Sequence, residues 1–132
     1  MGIQSGKSVY IDDKPWRLEK GQKLGDYTGR ELDISDDGAA TKLTGYIEGK
    51  YESTNGSWKG SGTCTYRDQD GDELYESWEE EGLENKGTYK TTGGTGKYKG
   101  ASGSGTYTLD PKGLAEPLSG GTYNYNGKLE LS

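Results

Sequence analysis

The chain has no histidine and no phenylalanine, one cysteine, three prolines, and just four isoleucines and one valine beside eleven leucines. Without histidine there is no histidine-based catalytic triad and no histidine-ligated zinc or iron. With Cys64 alone there is no internal disulfide and no cysteine-rich metal site. Long apolar runs are missing too, and none approaches the ~20 residues that a membrane-spanning helix needs. Positive charge is sparse and scattered among acids, with a net charge of −6, so the clustered Lys and Arg that phosphate backbones require are not there. The reading is a soluble protein with neither a nucleic-acid nor a membrane partner. MGIQSGKSVY carries no visible signal peptide, and the compartment stays open.

What is present is aromatic and small: 11 Tyr, 3 Trp and 24 Gly in 132 residues. That length suits one domain, residues 1–132. Tyrosine and tryptophan bury large areas but keep a polar tip that needs a partner or water, which fits a barrel wall around a polar interior. Helical periodicity appears nowhere at length. Short alternating runs punctuated by Gly, Asn-Gly and Asp-Gly predict strands at Ser8–Ile11, Asp26–Asp33, Lys42–Ser53, Ser57–Arg67, Glu73–Glu80, Gly87–Thr92, Thr95–Lys99, Ser104–Leu109, Gly121–Tyr125 and Lys128–Leu131. Eight to ten strands in one domain mean a barrel or a sandwich. Tight turns are expected at Thr54-Asn55-Gly56, Gln69–Asp72 and Asn126-Gly127.

The stretch GGTGKYKGASGSGTYTL, residues 93 to 109, is the densest in glycine. As a phosphate loop it fails on spacing: Lys99 stands where a dinucleotide fingerprint needs Gly, and Gly96-Lys97 lacks the flanking residues of a P-loop. As two strands joined at Gly100–Gly103, it puts Gly96, Tyr98 and Gly100 on one face, continued by Gly103, Gly105, Tyr107 and Leu109. Glycine is kept in strand interiors where a sheet bends hard or a neighbour approaches closely. Glycines would curve the wall while tyrosines fill it.

Candidate chemistry must come from Asp, Glu, Tyr, Lys or Cys64. Glu76, Trp78 and Glu80 share one strand face, and a carboxyl inside a tyrosine-lined pocket has its pKa raised into the acid–base range. Cys64 shares a face with Gly62 and Tyr66; the bland alternative is a small buried hydrophobe. The catalytic candidates are therefore Glu76, Tyr66 and Cys64, and the ligand-binding candidates are Tyr66, Trp78, Tyr89, Tyr98 and Tyr107. Asp68, Asp70, Asp72 and Glu79 match positions of a calcium-loop register, but Glu73 stands where that loop needs Gly, so a hairpin turn is the plainer account. Trp16, Trp58 and Trp78 could instead form a stacking platform, with core packing as the competing account.

The run Thr92–Gly103, followed by Gly105 and Tyr107, resembles the glycine motif shared by plant allene oxide cyclases and dirigent proteins. Cys64–Asp72 adds a similarity to bacterial relatives of that superfamily. The resemblance implies an all-β fold, a single eight-stranded antiparallel β-barrel like that of the allene oxide cyclases. It also implies a lumen for a small hydrophobic or aromatic molecule, cyclase or isomerase chemistry by confinement without a cofactor, and a homodimer or trimer. The cyclase Glu and Asn have no counterpart in VYIDDKPW, and the dirigent Asp and Arg are unmatched, so no catalytic residue carries over. A non-catalytic secreted or periplasmic binding or structural module, with calcium at the acidic turn, is the alternative.

Overall fold

A computed structural model describes residues 2–13, 24–34, 42–54, 57–81, 85–110 and 120–132. Eight strands run in chain order: β1 (Gly2–Asp12), β2 (Leu24–Asp33), β3 (Thr44–Thr54), β4 (Ser57–Arg67), β5 (Glu73–Glu81), β6 (Lys86–Gly94), β7 (Ser102–Asp110) and β8 (Gly120–Glu130). Each pairs antiparallel with its sequence neighbour, and β8 pairs with β1 to close the barrel. Closure removes every free edge, which suits a sheet with so little aliphatic surface to bury.

Alternation along each strand sends one set of side chains inward. Within β2 these are Tyr27, Glu31 and Asp33, all buried, whereas Leu32 points outward at 48% exposure. On β5 the inward set is Leu74, Glu76, Trp78 and Glu80. Inward glycines lie under inward rings. A Cβ on Gly49 would run into the Trp78 ring, one on Gly60 into Tyr51, and one on Gly87 into Tyr107. The small-and-large alternation expected of a narrow barrel is thus a pairing across neighbouring strands.

Three local expectations are corrected. Thr95–Lys99 is not a strand: Gly96–Tyr98 forms a 3₁₀ turn after β6 ends at Gly94, with Gly96 and Gly100 at positive φ of 54° and 77°. Asn126-Gly127 is not a turn; both residues lie within β8, paired with Ser5, Gln4, Thr106 and Gly105, so Gly121–Tyr125 and Lys128–Leu131 are parts of one strand. At the third, the inner face of residues 93–109 is interrupted, because the 3₁₀ turn takes Tyr98 out of the alternation. The turn at Asp68–Asp72 forms as expected, with Gly71 at φ 85°. Thr54 pairs with Ser57, while Asn55 and Gly56 lie outside the described residues, as do Trp16 and the side chain of Trp58.

Candidate functional site

The barrel encloses a cavity of about 390 Å³, within the ~300–1,000 Å³ range common for small-molecule sites. Eight tyrosines, Trp78 and five carboxyl groups line it: Asp12, Glu31, Asp33, Glu76 and Glu80. Among the described lining residues there is no lysine, arginine or histidine.

Most of these acids are held by tyrosine hydroxyls. Glu80 accepts from Tyr51 at 2.7 Å on one oxygen and from Tyr107 at 2.6 Å on the other. Asp12 accepts from Tyr27 at 2.6 Å, and Asp33 from Tyr125 at 2.6 Å. Glu31 accepts from Tyr123 at 2.7 Å, and the Tyr123 hydroxyl lies 3.3 Å from that of Tyr66. Glu31 reaches this cluster because its cross-strand neighbour is Gly45, which in turn pairs with Tyr66. A Cβ at Gly45 would meet Glu31, Cys64 and Tyr66 together. One absent side chain is what lets the three converge.

Glu76 differs from the rest. Its hydrogen bond is a long one, 3.4 Å from Thr91 Oγ1 to Oε2, which leaves Oε1 without a protein partner among the described residues. The backbone brings Thr91 there: pairing between β5 and β6 shifts register between Tyr75 and Glu76, so that Tyr75 faces Gly93 and Glu76 faces Thr91. A bulge of this kind re-aims side chains and tends to sit beside functional sites.

Burial dominates the electrostatics. It raises Glu76 to about 8, with the charge of Glu31 adding to the effect and the Thr91 hydroxyl opposing it. Burial raises Glu31 to about 7, although hydrogen bonds from Tyr66 and Tyr123 pull it back. Glu80 is raised by burial against the pull of Tyr107 and Tyr51. Burial also pushes the Cys64 thiol and the Tyr66 hydroxyl well up, with Glu31 adding to both. Cys64 is a protonated thiol, not a poised thiolate nucleophile, and Tyr66 is a hydrogen-bond donor.

Of the sequence candidates, Cys64, Tyr66, Glu76, Trp78, Tyr89 and Tyr107 line the cavity. The Tyr89 hydroxyl is buried with no hydrogen-bond partner among the described residues, seated over Gly105 and Gly127. Tyr98 does not line the cavity. It is buried under the 3₁₀ turn and donates to Asp68 at 2.8 Å.

The acidic turn has a lysine set among its carboxylates. Lys97 Nζ lies 2.8 Å from Asp68, 2.8 Å from Asp70 and 3.9 Å from Asp72. The fourth residue of that register, Glu79, is exposed on β5. Among the described residues no group of His, Cys, Asp or Glu is arranged to hold a metal.

Asp12, Glu31, Asp33, Tyr27, Tyr51, Tyr123 and Tyr125 were not singled out from the sequence. Alternation along β1, β2, β3 and β8 could have grouped them strand by strand, but nothing in the composition of those faces marks them as inward.

Neither a family model nor a curated protein matches the chain. Solved structures do. The pterocarpan synthase dirigent protein PsPTS1 superposes with a TM-score of 0.50 at 14% identity, over 97% of this chain and 96% of that one. The pterocarpan synthase dirigent protein GePTS1 gives a TM-score of 0.46 at 13% identity, over 98% of this chain and 87% of that one. At such identity the likeness is one of fold. In fold, then, the chain is a dirigent-like closed barrel of eight antiparallel strands.

Proposed function

We propose that the barrel binds a small organic molecule with an aromatic or apolar body in its lumen and converts it to an isomer, with Glu76 as the proton-transferring group. One observation carries this reading: a carboxyl poised at about 8, lining a tyrosine-rich cavity, with one oxygen unclaimed among the described residues. A general acid or base works best when its pKa lies near the working pH. Glu31, poised at about 7 beside Tyr66 and Tyr123, is placed to set the charge that Glu76 feels. The wall of rings fixes the orientation of a bound molecule, and confinement lowers the barrier of a unimolecular step without a redox partner.

The test has two stages. Thermal-shift screening against phenolics, aromatic amines, polyenes and fatty-acid epoxides identifies binders, with a rise in melting temperature expected for at least one class. Binders are then incubated with the protein, and chromatography is used to find a product of unchanged mass. Formation of such a product that drops about 10²-fold or more in Glu76→Gln supports the assignment. Binding without turnover would instead favour the non-catalytic module, and no binder in any class would remove the lumen reading altogether.

A further inference from the structure

The lumen's charge balance selects among small molecules. Five carboxyl groups line it, with no cationic side chain among the described lining residues. Glu31 and Glu80 have oxygens already engaged by tyrosine hydroxyls. Glu76 does not: apart from the long contact to Thr91, its carboxyl has no partner among the described residues, and it lines the cavity. Glu76 is half-buried, its carboxyl open to the cavity instead of sealed in the wall, so a guest that donates to it gains a charge-assisted hydrogen bond away from bulk water.

Three kinds of guest can be weighed against this wall. An anionic guest would enter with no counter-charge among the described lining residues and would meet five acids. A neutral apolar guest would leave Oε1 of Glu76 unsatisfied. An ammonium group would donate to it, and the electron-rich faces of the surrounding rings attract the same charge. Tyr89, Tyr123 and Trp78 all line the cavity with Glu76.

We infer that the lumen is a site for a small aromatic amine, its ammonium group held by the free oxygen of Glu76 and its ring lying against the tyrosine wall. This rests on the lumen-binding reading above and names the ligand class that reading left open.

The proton balance follows from the neighbours. Facing Glu76 across the lumen wall are Glu31 and Asp33 from β2, Cys64 and Tyr66 from β4, Tyr89 and Thr91 from β6, and Tyr123 and Tyr125 from β8. All the titratable groups among them are acids, neutral or negative, so no residue on this wall supplies a counter-cation. Glu76 is protonated at pH 7 because burial raises it, with Glu31 adding. When an ammonium group arrives, Glu76 gives its proton to the buffer and the ammonium N–H donates to the carboxylate. The charge of the complex is balanced and one proton is released.

The experiment uses three ligands with one phenolic body: tyramine, 4-propylphenol and 3-(4-hydroxyphenyl)propionate. Isothermal titration calorimetry at pH 7, run in buffers of different ionisation enthalpy, reads both affinity and proton release. Tyramine is expected to bind at least about tenfold tighter than 4-propylphenol, the scale of one close desolvated charge pair. It should release up to one proton, while the propionate shows no binding. Glu76→Gln should remove the preference and the proton release but retain 4-propylphenol binding, which also shows that the variant is folded. Equal or tighter binding of 4-propylphenol, or binding of the propionate, overturns the charge assignment and leaves the lumen reading standing. Failure of all three to bind overturns both.

Discussion

Asp68 and Glu76 flank the start of the same strand, yet one is held down to about 2 and the other pushed up to about 8. Asp68 loses some solvation, which raises it, but hydrogen bonds from Lys97, Tyr98 and the Asp70 and Asp72 amides outweigh that. Glu76 loses its solvation among rings and other acids and gains one long hydrogen bond in return. The acidic turn is therefore a clasp with a lysine built in among its acids, and the lumen is a chamber whose acids have no cation among the described lining residues. Carboxylates alike in the sequence become structure in one place and potential chemistry in the other, according to whether a cation is built in beside them.

The largest effect expected from challenging this contrast is steric. Gly49→Val would push a side chain into the Trp78 ring and the Ser61 carbonyl, costing about 3 kcal/mol or more by overpacking. Gly71 in the clasp has φ 85° but open space around it, so Gly71→Ala should cost about 1 kcal/mol, by backbone strain alone. Urea unfolding of both variants checks the ranking, and equal losses would mean that the lumen wall is not tightly packed.

Next in size is a pH effect with opposite signs in the two regions. Glu76 and Glu31 bind protons more tightly in the folded chain, from 4.5 up to about 8 and about 7, so stability falls as pH rises from about 5 to about 8. Asp68 is lowered from 3.8 to about 2, so its contribution is present above 3.8 and is lost as pH falls toward 2. Melting temperature should thus peak in mildly acidic solution. Glu76→Gln should flatten the upper limb, gaining a few kcal/mol over the parent at pH 8 and nothing at pH 4. An unchanged slope would place Glu76 in water.

Smaller still is the consequence of removing the clasp's cation. Lys97→Met should let Asp68 titrate nearer its ordinary 3.8, read by carboxyl ¹³C NMR, while the lumen acids keep their values. Millimolar calcium should leave the melting temperature of the parent protein unchanged. A calcium-induced rise would show that Lys97 yields its place.

The strands were legible in the sequence because their signals are local: turn glycines, alternation, and rings spaced among small residues. These left barrel and sandwich both open, and it was the glycine-motif resemblance that implied the closed barrel. On β4, β5 and β7 the inward face could be grouped as Cys64 with Tyr66, Glu76 with Trp78 and Glu80, and Tyr107 with Leu109. On β2 it could not. There Glu31 and Asp33 are buried while Leu32 and Ile34 are exposed at 48% and 50%, the reverse of the usual guide, because this interior is polar and satisfied by tyrosine hydroxyls. Tyr98 misled for another reason. Extrapolating the strand past Gly94 aimed it inward, but Gly96 takes a positive φ and turns the chain into the clasp. Glu76 could be nominated from its company of rings; its distinction from Glu80 depends on hydrogen bonds that only the closed barrel reveals.

The ring is sealed by its first and last strands, with β1 running along β8 from Gly2 opposite Leu129 to Ile11 opposite Gly120. A chain still lacking β8 has no chamber, only an open ribbon whose tyrosines and carboxyls face water and titrate as ordinary side chains. Capacity to hold a guest would therefore depend on that seam being closed. A guest that prefers the enclosed state would work as a latch on the β1–β8 seam, slowing its opening wherever in the chamber it rests.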